Sequence, residues 1–142
     1  MRRRLWTAAG LLIALLACSV LSGCGGKDPA LGVLKDDPMA TLVPAGTSLV
    51  RESSQKGGTT LGKPVHAQVT RRFSLDETTA EEALADARQA AIDAGWETVN
   101  ADITPEDSYD ARKEVDGIET RLLVTSGSIG GTTQLFVYLT RR

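Results

Sequence analysis

Asp116-Gly117 stands between two runs of alternating residues, 109–115 and 118–126. An Asp-Gly pair readily supplies the two positive-φ positions of a tight hairpin turn, so it commits the flanking runs to antiparallel pairing and fixes their register. In that register Tyr109, Ala111 and Val115 oppose Val124, Leu122 and Ile118 on one face. The other face sets Arg112 against Arg121 and Glu114 against Glu119. Like charges directly opposite are unfavourable, and the diagonals Arg112 with Glu119 and Glu114 with Arg121 are expected to offset them.

The rest of the chain is read around that hairpin. Residues 76–96 carry a helical period, with Ala80, Ala83, Leu84, Ala87, Ala91 and Ala94 on one stripe and Glu81, Glu82, Arg88, Gln89 and Asp93 facing away. Thr79-Ala80-Glu81-Glu82 has the form of a capping box, and Gly95 suits the left-handed position that ends a helix. The alanines imply close approach to a sheet. Residues 47–53 and 96–103 read as short strands and 55–64 as a loop. Residues 65–75 alternate, with Val65, Ala67, Val69, Arg71 and Phe73 on one face and His66, Gln68, Thr70 and Arg72 on the other. After a glycine-rich turn at 126–131, residues 134–139 are apolar on both faces, which suits a central strand. The order predicts an α+β fold of two layers, one main helix packed on a mostly antiparallel sheet of about four to five strands. The sheet's far face, lined by charges and threonines, is either solvated or a binding face.

The N-terminal end carries an address. Arg2, Arg3 and Arg4 precede an apolar stretch at 5–21, the layout of a secretory signal peptide. An uncleaved anchor helix is the alternative, but the stretch falls short of the span of about 20 residues that crosses a bilayer, and no basic stop cluster follows. Leu21-Ser22-Gly23-Cys24 resembles the lipobox of bacterial lipoproteins. The resemblance implies that the Cys24 thiol receives a diacylglyceryl group, that cleavage follows before Cys24, and that the new terminus is often acylated. Leu15-Leu16-Ala17-Cys18 is a poorer match, because the bulky Leu16 takes the place of a small residue. The resemblance covers residues 1–24. Arg2-Arg3-Arg4-Leu5-Trp6 also loosely resembles a twin-arginine export signal, but lacks the upstream Ser/Thr, and the general secretory route is favoured. The expected organisation is a signal peptide at 1–23, a lipidated Cys24 with a flexible tether at 24–46 containing a helical turn after Pro38, and one small domain at 47–142.

Cleavage removes three basic residues and no acidic one, leaving 119 residues with thirteen basic against eighteen acidic side chains, a net charge of −5. Such a chain is a poor match for nucleic acid, which rewards basic patches. Cys24 would be the sole mature cysteine, so no intrachain disulfide is expected.

Several motifs approach known chemistry and fall short. Gly57-Gly58-Thr59-Thr60-Leu61-Gly62-Lys63-Pro64 nearly spells a phosphate-binding loop, but Pro64 replaces the metal-coordinating hydroxyl and a strand is expected to follow. Asp102, Glu106, Asp107 and Asp110 cluster without the spacing of a calcium loop. His66 is the only histidine, so zinc and a Ser-His-Asp site find few partners. Gly127-Ser128-Ile129-Gly130 has the wrong spacing for a nucleophile elbow. Trp96 reads as packing the helix end rather than stacking a ligand. No cofactor and no metal are therefore expected. The sequence points to a non-catalytic binding module, lipid-anchored at Cys24 on the extracytoplasmic face of the cell membrane, with an envelope or extracellular protein as partner. A small-ligand carrier or sensor and a small cell-envelope hydrolase are the alternatives, the last requiring a deep cleft that joins His66 to a carboxylate.

Overall fold

The computed structural model describes residues 28–99 and 106–141. Cys24, the lipobox-like segment and Asp102 lie outside the described residues. The described part runs α1 (Pro29–Asp36), a 3-10 turn (Pro38–Ala40), β1 (Thr47–Gln55), β2 (Gly58–Thr60), β3 (Lys63–Val65), β4 (Ala67–Leu75), α2 (Ala80–Asp93), β5 (Glu97–Thr98), β6 (Ser108–Val115), β7 (Ile118–Ile129) and β8 (Thr132–Arg141). Six strands form an antiparallel sheet in the order β1-β4-β8-β7-β6-β5, and β2 and β3 form a separate two-stranded ribbon.

This corrects the expected two-layer α+β arrangement of one helix on about four to five strands: the chain is mostly sheet, with eight strands among the described residues. The reason is partly width. Six strands at about 4.8 Å spacing make a sheet roughly 24 Å across, whereas one helix covers about 10 Å. Two short helices share the covered face, α1 over β4 and β8 and α2 over β6, β7 and β8. β1 stays exposed along almost its whole length.

Residues 28–46, expected as tether, are folded from Asp28 onward. Asp28 and Asp37 each accept a backbone N–H two residues on, at 3.0 Å from Ala30 and 2.9 Å from Met39, and each is followed by a proline at the first helical position. Pro there loses no useful donor, and its fixed φ suits the helix. The helical turn after Pro38 is present as the 3-10 turn. Leu31, Leu34, Met39 and Ala40 are buried in the core.

The core lies between the helices and one sheet face. Ala67, Val69 and Phe73 of β4, Leu135, Val137 and Leu139 of β8, Leu122 and Val124 of β7, and Tyr109 and Ala111 of β6 meet Ala83, Leu84, Ala87 and Ala91 of α2. The capping box is complete: Glu82 N donates to Thr79 Oγ1 at 3.2 Å and Thr79 N donates to Glu82 Oε2 at 3.1 Å. Gly95 has φ +82° where the helix ends. The Asp116-Gly117 turn has both residues at positive φ, and β6 pairs with β7 in the register expected from the sequence.

Buried polar groups knit the elements. Asp37 accepts from Lys113 Nζ of β6 at 3.2 Å and from Trp96 Nε1 at 3.3 Å, while Lys113 also donates to the Ala94 carbonyl at 2.8 Å. Arg71, 4% exposed on the core face of β4, pairs with Glu52 of β1 at 3.2 Å, donates to the Leu42 carbonyl and lies over the Phe73 ring. At the end of β8, opposite Ala67 of β4, buried Arg141 donates to the Val115 carbonyl at 3.1 Å.

Candidate functional site: the open face of the sheet

The alternation that points Leu135, Val137 and Leu139 into the core points Phe136 and Tyr138 out of it. β8 lies between β4 and β7, so these two rings occupy the middle of the face that no helix of the described residues covers. They stack with centroids 6.2 Å apart and planes 7° from parallel.

Cross-strand register builds the surroundings. Phe136 lies between Arg72 of β4 and Thr125 of β7, and Tyr138 between Thr70 and Leu123. One row toward the β7–β8 turn, Gln134 lies between Ser74 and Gly127. A Cβ at Gly127 would stand 3.2 Å from Phe136 Cε2, so glycine lets the ring settle against the β7 backbone. Arg72 Nε and Gln134 Oε1 are both buried and have no partner among the described residues. Buried polar atoms are normally paired, so these two flank the aromatic stack with unspent hydrogen-bonding capacity.

A shallow concavity of about 450 Å³ lies beside Tyr138, lined by His66, Gln68, Asp110, Arg121, Leu123 and Thr140. Arg121 Nη2 donates to Asp110 Oδ2 at 3.0 Å. His66 precedes β4 and Asp110 lies on β6, with β8 and β7 between them. Three strand spacings separate their backbones by about 14 Å. The concavity thus contains a histidine and a carboxylate on opposite sides, with Asp110 bonded to Arg121.

Arg112 and Arg121 are directly opposed, as are Glu114 and Glu119. The arginines find other partners than the expected diagonals: Arg112 meets Glu97 of β5 at 3.7 Å, and Arg121 meets Asp110. β5 places Glu97 directly opposite Arg112, a neighbour that the hairpin taken alone lacks.

The near-motifs resolve into structure. Residues 57–64, expected as loop, contain the β2–β3 ribbon, and a strand rather than a helix follows them. Ser128 and Ile129 are still on β7, whose turn to β8 is only Gly130-Gly131. Glu106 and Asp107 are exposed, and among the described residues no three His, Cys, Asp or Glu side chains converge as a metal site. Trp96 is buried, with Lys113 Nζ 5.7 Å from its ring centroid. No helix of the described residues is long and apolar enough to cross a membrane.

Comparison with known proteins returned no match, whether to family models, to curated sequences or to solved structures.

Proposed function

We propose that this chain is a lipid-anchored extracytoplasmic protein that binds an envelope or extracellular protein through the open sheet face centred on Phe136 and Tyr138. The observation that carries the binding reading is the stacked aromatic pair, left uncovered between Arg72 and Gln134 with their unpartnered polar atoms. Aromatic side chains and arginine are the groups most enriched among the energetically dominant residues of protein interfaces. A partner segment offering an apolar side chain and a hydrogen-bonding group would cover the rings and satisfy Arg72 and Gln134 together. The anchor rests on the lipobox-like Leu21-Ser22-Gly23-Cys24 behind a basic and then apolar leader. Each buried methylene contributes about 0.8 kcal/mol, so two or three acyl chains hold a protein durably where one does not.

In-cell crosslinking of the membrane-bound protein, with mass spectrometry of the products, tests the binding reading. A reproducible partner that is lost in Phe136→Ala and Arg72→Ala but kept in Glu81→Ala on α2 supports it. A partner retained by both face variants counts against it. Cys24→Ala tests the anchor: unprocessed precursor or released protein is expected, and normal processing with membrane retention refutes it.

The concavity beside Tyr138 favours a second reading, carriage of a small ligand. Its lining sets the Tyr138 ring beside the Arg121–Asp110 ion pair and suits a small aromatic molecule that carries a polar group. Saturable binding of such a compound, abolished in Tyr138→Ala, distinguishes it.

A further inference from the structure

The β2–β3 ribbon ends in a two-residue turn, Leu61-Gly62, between the paired residues Thr60 and Lys63. Leu61 has φ +51° and Gly62 φ +77°. Asn or Asp followed by Gly is the favoured filling of such a turn, because the first position also needs a left-handed backbone. A bulky side chain there is strained. Leu61 gains nothing from packing either, being 98% exposed. Neither turn chemistry nor the core therefore accounts for a leucine at this tip, and an outlier of this kind points to a role outside folding.

The charge around it is equally uneven. From Ser53 to Leu75 the chain has no Asp or Glu, although the mature chain is acidic overall. Lys63 stands beside the tip as the first residue of β3, and Lys56 precedes β2 at the ribbon's base, both exposed. An apolar tip between lysines is the composition that settles into the headgroup region of an anionic bilayer.

The position of the ribbon supplies the occupant. Asp28 Oδ2 accepts the N–H of Gly57 at 2.7 Å, which fastens the base of the ribbon to the first described residue. Asp28 lies four positions after Cys24, and four residues span at most about 14 Å. We propose that the Leu61 tip and Lys56 and Lys63 form a second, weak contact with the anionic lipid surface to which Cys24 is anchored, setting the domain's orientation on the membrane. This rests on the anchor reading. The acidic β6–β7 turn, with Glu114, Asp116 and Glu119, lies at the same end of the sheet but on its far side, so an anionic surface attracts the ribbon and repels that turn.

The mature chain offers a clean test, because lipidation of Cys24 leaves it without a free thiol. Leu61→Cys and, separately, Asp116→Cys are labelled with an environment-sensitive fluorophore in the full-length, processed protein. The protein is reconstituted into vesicles of phosphatidylcholine alone or with equimolar phosphatidylglycerol. Quenching by lipids spin-labelled near the headgroup is then read at both sites. The expected result is stronger quenching at 61 than at 116, increased by phosphatidylglycerol. Lys56→Glu with Lys63→Glu should abolish that increase, since each lysine near such a surface contributes about fivefold to partitioning. Equal quenching at both sites in protein that floats with the vesicles overturns the inference and leaves the anchor standing. Protein that fails to float and takes up a second label at Cys24 overturns the anchor and the inference with it.

Discussion

Replacing Asp37 by alanine asks whether residues 28–46 belong to the cooperative domain. The side chain is only 8% exposed and serves three elements: it caps the 3-10 turn through Met39 N, pairs with Lys113 of β6, and accepts from Trp96 behind α2. Loss of an N-cap costs about 1 kcal/mol. A charge-assisted bond to a partly buried lysine is worth about 2 kcal/mol, less the share Lys113 keeps through the Ala94 carbonyl, and the longer Trp96 bond about 0.5 kcal/mol. Asp37→Ala should therefore destabilise by about 3 kcal/mol, lowering the melting temperature by roughly 12 °C for a domain of this size. Asp37→Asn keeps the cap and an acceptor for Trp96 but loses the charge, and should cost about half as much. Urea and thermal unfolding followed by circular dichroism give both values, and a double-mutant cycle with Lys113→Met isolates the pair. A midpoint within about 2 °C of the parent in Asp37→Ala would refute the reasoning. It would mean that α1 and the 3-10 turn come away from the sheet without consequence, as a tether would.

Three further outcomes follow from the same contacts. Arg71→Met keeps most of the stem over Phe73 but leaves the Leu42 carbonyl without its donor, so a loss of about 2 kcal/mol in urea unfolding is expected, whereas Glu52→Gln, at the exposed end, should cost under about 1 kcal/mol. Hydrogen bonds hold three carboxyls below the ordinary carboxylate range: Asp28 chiefly through Gly57 N–H, Asp76 through the Ser48 hydroxyl, and Glu82 through Thr79 N–H. A lowered folded-state pKa gives stability that is present above the unfolded value, near pH 4, and is lost as pH falls through the folded one; pH titration of unfolding should show this, with a shallower acid limb in Asp28→Asn. Gly127→Ala pushes a methyl against the Phe136 ring, so stability should change by less than about 1 kcal/mol while partner capture falls severalfold; unchanged capture would show that the ring position is immaterial.

The sequence was most informative where one local cause acts alone. Asp116-Gly117 sets the β6–β7 register residue by residue, and Thr79 with Glu82 sets the start of α2, because both depend on neighbours a few positions away. The apolar character of both faces of 134–139 fits the central place of β8 between β4 and β7, where neighbouring strands shield the outward Phe136 and Tyr138 in part while only the Leu135, Val137 and Leu139 face is fully buried. The failures have causes of the same kind. Asp28-Pro29 and Asp37-Pro38 look like linker punctuation, yet Asp before Pro is also an N-cap followed by an N1 proline, and only the burial of Leu34 and Met39 separates the two readings. Residues 57–64 read as loop because Gly, Thr and Lys carry no apolar alternation, and a ribbon exposed on both faces has none to give. The candidate site was legible only in outline. Arg112 and Arg121 stand opposite each other as the hairpin register predicts, but Glu97 reaches Arg112 from β5, outside the hairpin, and Asp110 takes Arg121 along a different diagonal of the hairpin itself. Phe136 and Tyr138 read from the sequence only as strand residues, since nothing local says that the helices cover the other face.

Strand direction links the two proposals. The ribbon connects β1 to the start of β4, which pairs with the end of β8, so Gln68 and Thr140 mark the ribbon end of the open face. Gln134 lies six residues back along β8, about 20 Å farther on at the rise of a strand. With the ribbon set down on lipid, Phe136, Gln134 and the Gly130-Gly131 turn point away from the membrane, while the concavity at His66 and Arg121 stays near it. A partner arriving from outside the cell therefore meets the aromatic end of the face first, and a ligand drawn from the membrane surface meets the concavity first. Orientation would then decide which reading of the face applies. The lysine-to-glutamate ribbon variant should weaken capture of an extracellular partner without touching a residue of the binding face, and unchanged capture would show that the domain needs no fixed orientation to bind.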